Sequence, residues 1–189
     1  NGYSRCCFAG YSVAKRNCIV TRVIIQVMRV TRYTDYSLRV LIYLGLSGDR
    51  RSTIRDISEA YSISRNHLMK VVQQLAAQGY VNSVRGVGGG LTLARAPDQI
   101  RIGEVVRCME PDFALVECMR PDNACVITEA CRLRHMLARA RETFIDVLDE
   151  YSLEDLLQPE SADRIALMLK ISRDNDVVDT THSKGEVFG

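Results

Sequence analysis

The sequence predicts a mainly α-helical fold in which three short helices are closed by a small β-hairpin and followed by one long helix. Three observations predict it. Apolar residues recur at helical spacing up to residue 79, a glycine-rich stretch separates two alternating segments at 80–94, and one apolar stripe runs from Leu133 to Tyr151. Helix, helix, turn, helix and hairpin in that order make a winged helix-turn-helix, with the hairpin as wing and the long helix left for dimerisation.

The first helix is expected from about Thr34 to Leu46, where Leu38, Leu41, Ile42 and Gly45 share a face and Gly48-Asp49 supplies the stop. The second covers about Ile54–Tyr61, with Thr53 as N-cap and Ile57 and Ala60 turned inward. After a turn at Ser62-Ile63, Ser64 can cap a third helix that runs to Gln78 and ends at Gly79 as its C′ residue. Tyr80–Val84 and Leu91–Ala94 read as strands around Arg85-Gly86-Val87-Gly88-Gly89-Gly90. Another helix opens at Ile102 and ends near Glu110-Pro111, and an irregular cysteine-bearing loop spans Glu117–Thr128.

The long helix is expected from about Glu129 to Tyr151. Leu133, Met136, Leu137, Ala140, Phe144, Val147, Leu148 and Tyr151 line one side of it. About 23 residues make roughly 35 Å of helix, more than one small domain covers, so a dimer helix is preferred to an internal core helix. Ser152–Leu157 starts a short final helix. The organisation is therefore residues 1–27 as a leader, 28–107 as the winged helix-turn-helix, 108–158 as cysteine loop and dimer helix, and 159–189 as a partly disordered tail, polar after Ser172. Met28 precedes the first patterned helix, so 1–27 reads as translated from upstream of the true start or as not native.

The chain has 189 residues, 47% of them hydrophobic, and a net charge of +2 that is unevenly spread. Residues 28–107 carry twelve Lys/Arg against six Asp/Glu, whereas 108–189 carry nine against seventeen. That asymmetry fits a first half facing phosphates, although a solvated basic face would look the same. No apolar run is long enough for a bilayer. No Ser/His/Asp set, phosphate loop or dinucleotide fingerprint appears, and three scattered histidines offer little acid–base chemistry, so an enzyme is not expected. Seven cysteines, clustered and without a secretion signal, point to a reducing cytoplasm rather than a disulfide framework.

On the third helix Leu68, Val71, Val72 and Leu75 fall within about 100° of one another. Asn66, Lys70 and Gln73 lie opposite, with Arg65 and His67 on the flanks near the N-terminus. Asn and Gln can bond adenine edges, Arg can bond guanine, and Lys meets phosphate or guanine, so this face suits the major groove of double-stranded DNA. Arg85 in the wing could reach a minor groove or a phosphate. A polar face on a protein-binding winged helix would share this composition.

Cys118, Cys125 and Cys131 are separated by six and five residues. Thiolates favour iron–sulfur clusters, zinc and copper(I), and three of them leave one position to be filled. No short zinc knuckle is present, yet His135 lies one helical turn past Cys131 and could complete a zinc site. Ordinary buried thiols are the third reading.

The run Met28-Arg29-Val30-Thr31-Arg32-Tyr33-Thr34-Asp35-Tyr36-Ser37-Leu38-Arg39 resembles the N-terminus of the Rrf2 family of repressors. Ser64-Arg65-Asn66-His67-Leu68-Met69-Lys70, Val84-Arg85-Gly86-Val87-Gly88-Gly89-Gly90-Leu91 and Ile102-Gly103-Glu104-Val105-Val106 continue the match. Cys125-Val126-Ile127-Thr128-Glu129-Ala130-Cys131-Arg132-Leu133 is similar to the nitric-oxide-sensing NsrR type. The resemblance covers about residues 28–158. It implies a cytoplasmic homodimer, with no membrane association, that represses from palindromic operators. It also implies an iron–sulfur cluster (2Fe-2S or 4Fe-4S) held by Cys118, Cys125 and Cys131, whose nitrosylation by the effector nitric oxide releases the DNA. Asp35, supplied by the other subunit, matches the fourth ligand. The alternative read from residues alone is a carboxylate favoured by the helix dipole. Cluster-status regulators of the IscR type are similar too, but they carry a His three residues after the last Cys, where this chain has Arg134. A zinc-stabilised adaptor without sensing is the remaining alternative. The six-residue first gap is slightly long for the family.

Overall fold

The structure, a computed structural model, describes residues 30–110 and 112–171. The expectations for 1–27 and for the tail from Ser172 lie outside the described residues.

Helix α1 (Arg32–Ser47) is central. Thr31 caps it, its hydroxyl accepting from the Thr34 N–H at 3.3 Å, so the helix starts two residues before the periodic pattern does. Val40, Leu41 and Leu44 are buried, and the helix packs against α3 and α4. Helix α2 (Ile54–Tyr61) opens with a capping box, in which the Asp56 N–H donates to the Thr53 hydroxyl and the Thr53 N–H to the Asp56 carboxylate. Ser62, at φ 54°, turns the chain into α3 (Arg65–Ala77). Ser64 occupies the N-cap position of α3 without a side-chain capping bond. Gly79, at φ 72°, ends it: the Gly79 N–H donates to the Ala76 carbonyl at 3.0 Å and the Tyr80 N–H to that of Leu75 at 2.9 Å. That pair of bonds is a Schellman motif.

Strands β1 (Val81–Val84) and β2 (Gly90–Leu93) pair antiparallel with Val81 opposite Leu93 and Val84 opposite Gly90. The hairpin is tied to the body by a bridge between Ser52 and Leu91. Its tip needs glycine at 89, because a Cβ there would stand 2.9 Å from the Gly86 carbonyl oxygen and closer still to that of Val84. The Arg51 guanidinium donates to the Gly88 carbonyl at 2.7 Å and fixes the tip from outside.

Helix α4 (Ile102–Met109) crosses α5 (Arg132–Asp149) at Gly103, where a Cβ would lie 2.9 Å from the Asp149 backbone nitrogen. The boundary expected between 107 and 108 falls inside α4. Helix α5 begins at Arg132 rather than Glu129. The Thr128 hydroxyl bonds the Asn123 side chain and the Cys125 carbonyl, both at 2.7 Å, which holds this stretch in turns.

Residues 159–169, expected in a tail, form helix α6 (Pro159–Leu169). Pro159 suits its first turn, and Ala162 and Ala166, four apart, join the same core as Val40, Leu41 and Leu153. Small residues between Glu160, Asp163 and Arg164 made this stripe faint in the sequence.

Candidate nucleic-acid interface and thiol centre

The division of faces on α3 is as the pattern requires. Leu68, Val71, Val72 and Leu75 are buried, while Arg65, Asn66, His67, Lys70 and Gln73 are exposed together. Arg85 is exposed at the start of the wing loop, beside a fully exposed Val87. Between helix and wing runs a groove of about 430 Å³ lined by Arg55, Arg65, Met69, Val84 and the wing glycines 86, 89 and 90.

The first turn of α1 braces this surface from behind. The Tyr33 hydroxyl donates to the Lys70 carbonyl at 3.0 Å, and burial pushes the Tyr33 pKa up. Tyr36 packs against His67 with ring centroids 6.3 Å apart. Asp35, between them, forms an ion pair with Arg39 at 2.9 Å. Hydrogen bonding to Asp35 raises the Arg39 pKa, and the same guanidinium lies 5.7 Å from the centre of the Tyr61 ring. On the other side of this turn, Glu110 accepts from the Thr31 N–H, the Thr31 hydroxyl and the Thr34 hydroxyl at 3.1, 3.2 and 2.7 Å. Glu110 is the C-cap of α4 and stands eight residues before Cys118.

Cys118 lies in a 3-10 turn (Glu117–Met119), Cys125 opens the turn closed by Thr128, and Cys131 is the N-cap of α5. All three are free and half-buried, whereas Cys108 is exposed and 3.8 Å from the Tyr80 hydroxyl. The segment is held by polar bonds of its own: Arg120 to Asp112 at 2.8 Å, Asn123 to the Arg120 carbonyl at 3.0 Å, and the Ala124 N–H to Glu117 at 3.2 Å. Val126 and Ile127 are exposed, so few apolar contacts anchor the loop. Among the described residues, no three His, Cys, Asp or Glu side chains stand close enough to share a metal ion. The donor set nonetheless fits a soft metal centre: three free thiols on one loosely anchored loop, one of them at the N-terminus of an 18-residue helix.

The Rrf2 family, described as iron-dependent transcriptional regulators, matches residues 30–159. The chain belongs to the Rrf2 family. The HTH-type transcriptional regulators NsrR of Bacillus subtilis and Bacillus licheniformis are 50% and 48% identical to it over 133 and 132 residues. Each alignment takes in 69% of this chain, and 91% and 92% of the respective relative. The structure of CymR, the global cysteine regulator of B. subtilis, is similar at a TM-score of 0.55 and 27% identity, over 69% of this chain and 96% of that one.

Within this Rrf2 chain the base-facing candidates come together on one surface. The three thiols and Asp35 do not meet. The residues that sequence reasoning missed are Arg51, Arg55, Glu59 and Glu110. Arg51 and Arg55 were visible only as part of the basic excess of residues 28–107. Glu110 gave no signal, because its partners lie 76 and 79 positions away.

On α5, Leu133, Met136, Phe144 and Val147 are exposed, as is Tyr151 just past its end, while Ile145 is buried against Ile102 and Val106 of α4. No helix among the described residues is long and apolar enough to cross a membrane.

Proposed function

We propose that this protein is a homodimeric repressor that grips palindromic operator DNA through α3 and the wing and lets go when nitric oxide reaches an iron–sulfur centre. The observation that supports it best is the first turn of α1. One side of that turn bonds Glu110, the C-cap of α4 eight residues before Cys118, and the other bonds the Lys70 carbonyl of the recognition helix. A rearrangement of the cysteine loop that moves the end of α4 would be passed through these bonds to the face carried by α3.

Cys118, Cys125 and Cys131 would hold the centre, with Asp35 of the partner subunit as the fourth ligand. A cluster bound there supplies iron that reacts with nitric oxide. The chain's part is to bind and to transmit. Asp35 must leave Arg39 to become a ligand, and an exposed ion pair of this kind is worth only about 0–1 kcal/mol, so its release is cheap. The exposed stripe on α5 supplies the surface on which two copies meet, which sets the spacing of two recognition helices on one DNA face. A two-state loop coupled to that spacing is what a ligand-driven switch requires.

Protein purified without oxygen should carry iron and acid-labile sulfide in comparable amounts. Added nitric oxide should dissociate it from a duplex selected for tight binding, as read by fluorescence anisotropy. A colourless protein with one zinc per chain, lost on His135→Ala, would overturn the sensing reading in favour of a zinc-stabilised adaptor.

A further inference from the structure

We propose that Glu59, a residue of α2, sets sequence discrimination by holding Arg65 at the mouth of the groove between α3 and the wing. The inference rests on the reading of α3 as the base-facing helix. Glu59 Oε1 accepts from Arg55 Nε at 2.8 Å and stands 3.7 Å from Arg65 Nη2. Arg55 is four residues before Glu59 on the same helix, so it fixes the carboxylate, and the carboxylate in turn draws Arg65 towards it. Arg55 and Arg65 both line the groove of about 430 Å³, together with Val84, Gly86 and Gly89 of the wing.

A carboxylate on a surface that must meet phosphates works against non-specific attraction. Folding stability does not account for its presence. The side chains are 69%, 59% and 58% exposed for Arg55, Glu59 and Arg65, and exposed ion pairs add little. What it does supply is order. Arginine loses considerable rotamer freedom when it docks on a base, and a guanidinium already held in place loses less. The 3.7 Å contact engages one edge of Arg65 by charge and leaves other donors of its five N–H groups for a guanine edge. Arg65 is the first residue of α3, in the turn from which recognition helices reach bases.

The test uses the full chain and two probes. One is the duplex enriched by the wild type from a random-sequence pool long enough for two half-sites; the other is a scrambled duplex of the same composition. Glu59→Gln keeps the shape and removes the charge. It should bind the scrambled duplex several-fold more tightly, and the ratio of specific to non-specific affinity should fall about tenfold at constant salt. In an Arg65→Ala background the same change should leave the ratio where Arg65→Ala alone puts it. An unchanged ratio in Glu59→Gln, or an equal fall with Arg65 absent, overturns the proposal while α3 stays base-facing. If Arg65→Ala itself retains the wild-type ratio, Arg65 is not a base contact, and the failure lies with the reading of α3 and carries the Glu59 role with it.

Discussion

The Thr34 hydroxyl donates a 2.7 Å hydrogen bond to the Glu110 carboxylate across 76 positions of sequence. Thr34 is fully buried and Glu110 is 8% exposed. This contact joins the first turn of α1 to the end of α4. Hydrogen bonds to an ionised group are stronger than neutral ones, and the same carboxylate also holds the Thr31 N–H and hydroxyl.

Removing Glu110 should therefore cost more than removing either threonine hydroxyl. Glu110→Ala leaves the Thr34 hydroxyl buried without its acceptor and should destabilise by about 2–3 kcal/mol. Thr34→Val removes one bond while keeping the shape and should cost about 1 kcal/mol. Urea melts of the two variants decide the order, and equal losses would show that Glu110 contributes nothing beyond Thr34.

The crossing of α4 and α5 makes a second prediction. Gly103→Ala would place a Cβ 2.9 Å from the Asp149 backbone nitrogen, which no side-chain rotation relieves. Overpacking of this kind costs about 1–3 kcal/mol. The midpoint of urea unfolding should fall accordingly, with the exposed α3 face unaffected.

How much of this was legible in the sequence depends on how local each interaction is. The faces of α3, the N-cap at Thr53 and the wing followed from spacing, residue type and glycines, because each is settled within a few residues. The start of α5 was misplaced because the Thr128 hydroxyl bonds its own neighbourhood instead of allowing a helical turn. Helix α6 was missed because its buried residues are alanines, which carry little hydropathy contrast. The thiol trio was visible as chemistry, but how the three thiols are placed depends on a loop held by its own turns, which spacing does not contain. Glu59 was passed over because a carboxylate on a basic face reads as background until its distances to Arg55 and Arg65 are known.

A third prediction concerns acid. The Ser152 N–H and hydroxyl both donate to Asp155 at 2.7 Å and hold its carboxyl below the ordinary value of 3.8. A lowered folded-state pKa adds stability that is present above the unfolded value and lost as pH falls through the folded one. Asp155→Asn should thus be less stable than the wild type at neutral pH. The gap should close as pH drops through and below 3.8. A gap that persists in acid would assign the effect to shape and not to charge.

Cysteine substitutions should divide into two groups. Cys118→Ala, Cys125→Ala and Cys131→Ala should each lose iron and sulfide on anaerobic purification, since a three-thiolate site then lacks an anchor. Cys108→Ala should retain both, because that thiol is exposed beside Tyr80, outside the 117–131 segment. Iron and sulfide analysis of the four variants is sufficient. Full loading of any one of the first three would remove that cysteine from the ligand set.

The last prediction joins the proposed dimer face to the proposed centre. Met136 and Phe144 are 61% and 45% exposed on α5 in the single chain, and Phe144 also packs against Phe113, the rings tilted by 37° with centroids 5.8 Å apart. Met136 touches less of its own chain, so Met136→Glu is the cleaner test. A charge buried in an apolar seam without a partner costs several kcal/mol, which the dimer avoids by opening. Met136→Glu should sediment as a folded monomer and bind the selected duplex poorly. If Asp35 ligates across the dimer, that monomer should also lose its cluster faster than the wild type. Asp35→Ala should remain dimeric yet decay at a similarly increased rate, because the exposed Asp35–Arg39 pair contributes too little to folding for its loss to act through stability. Decay rates at wild-type level in both variants would place every ligand within one chain and leave Asp35 as the partner of Arg39 alone.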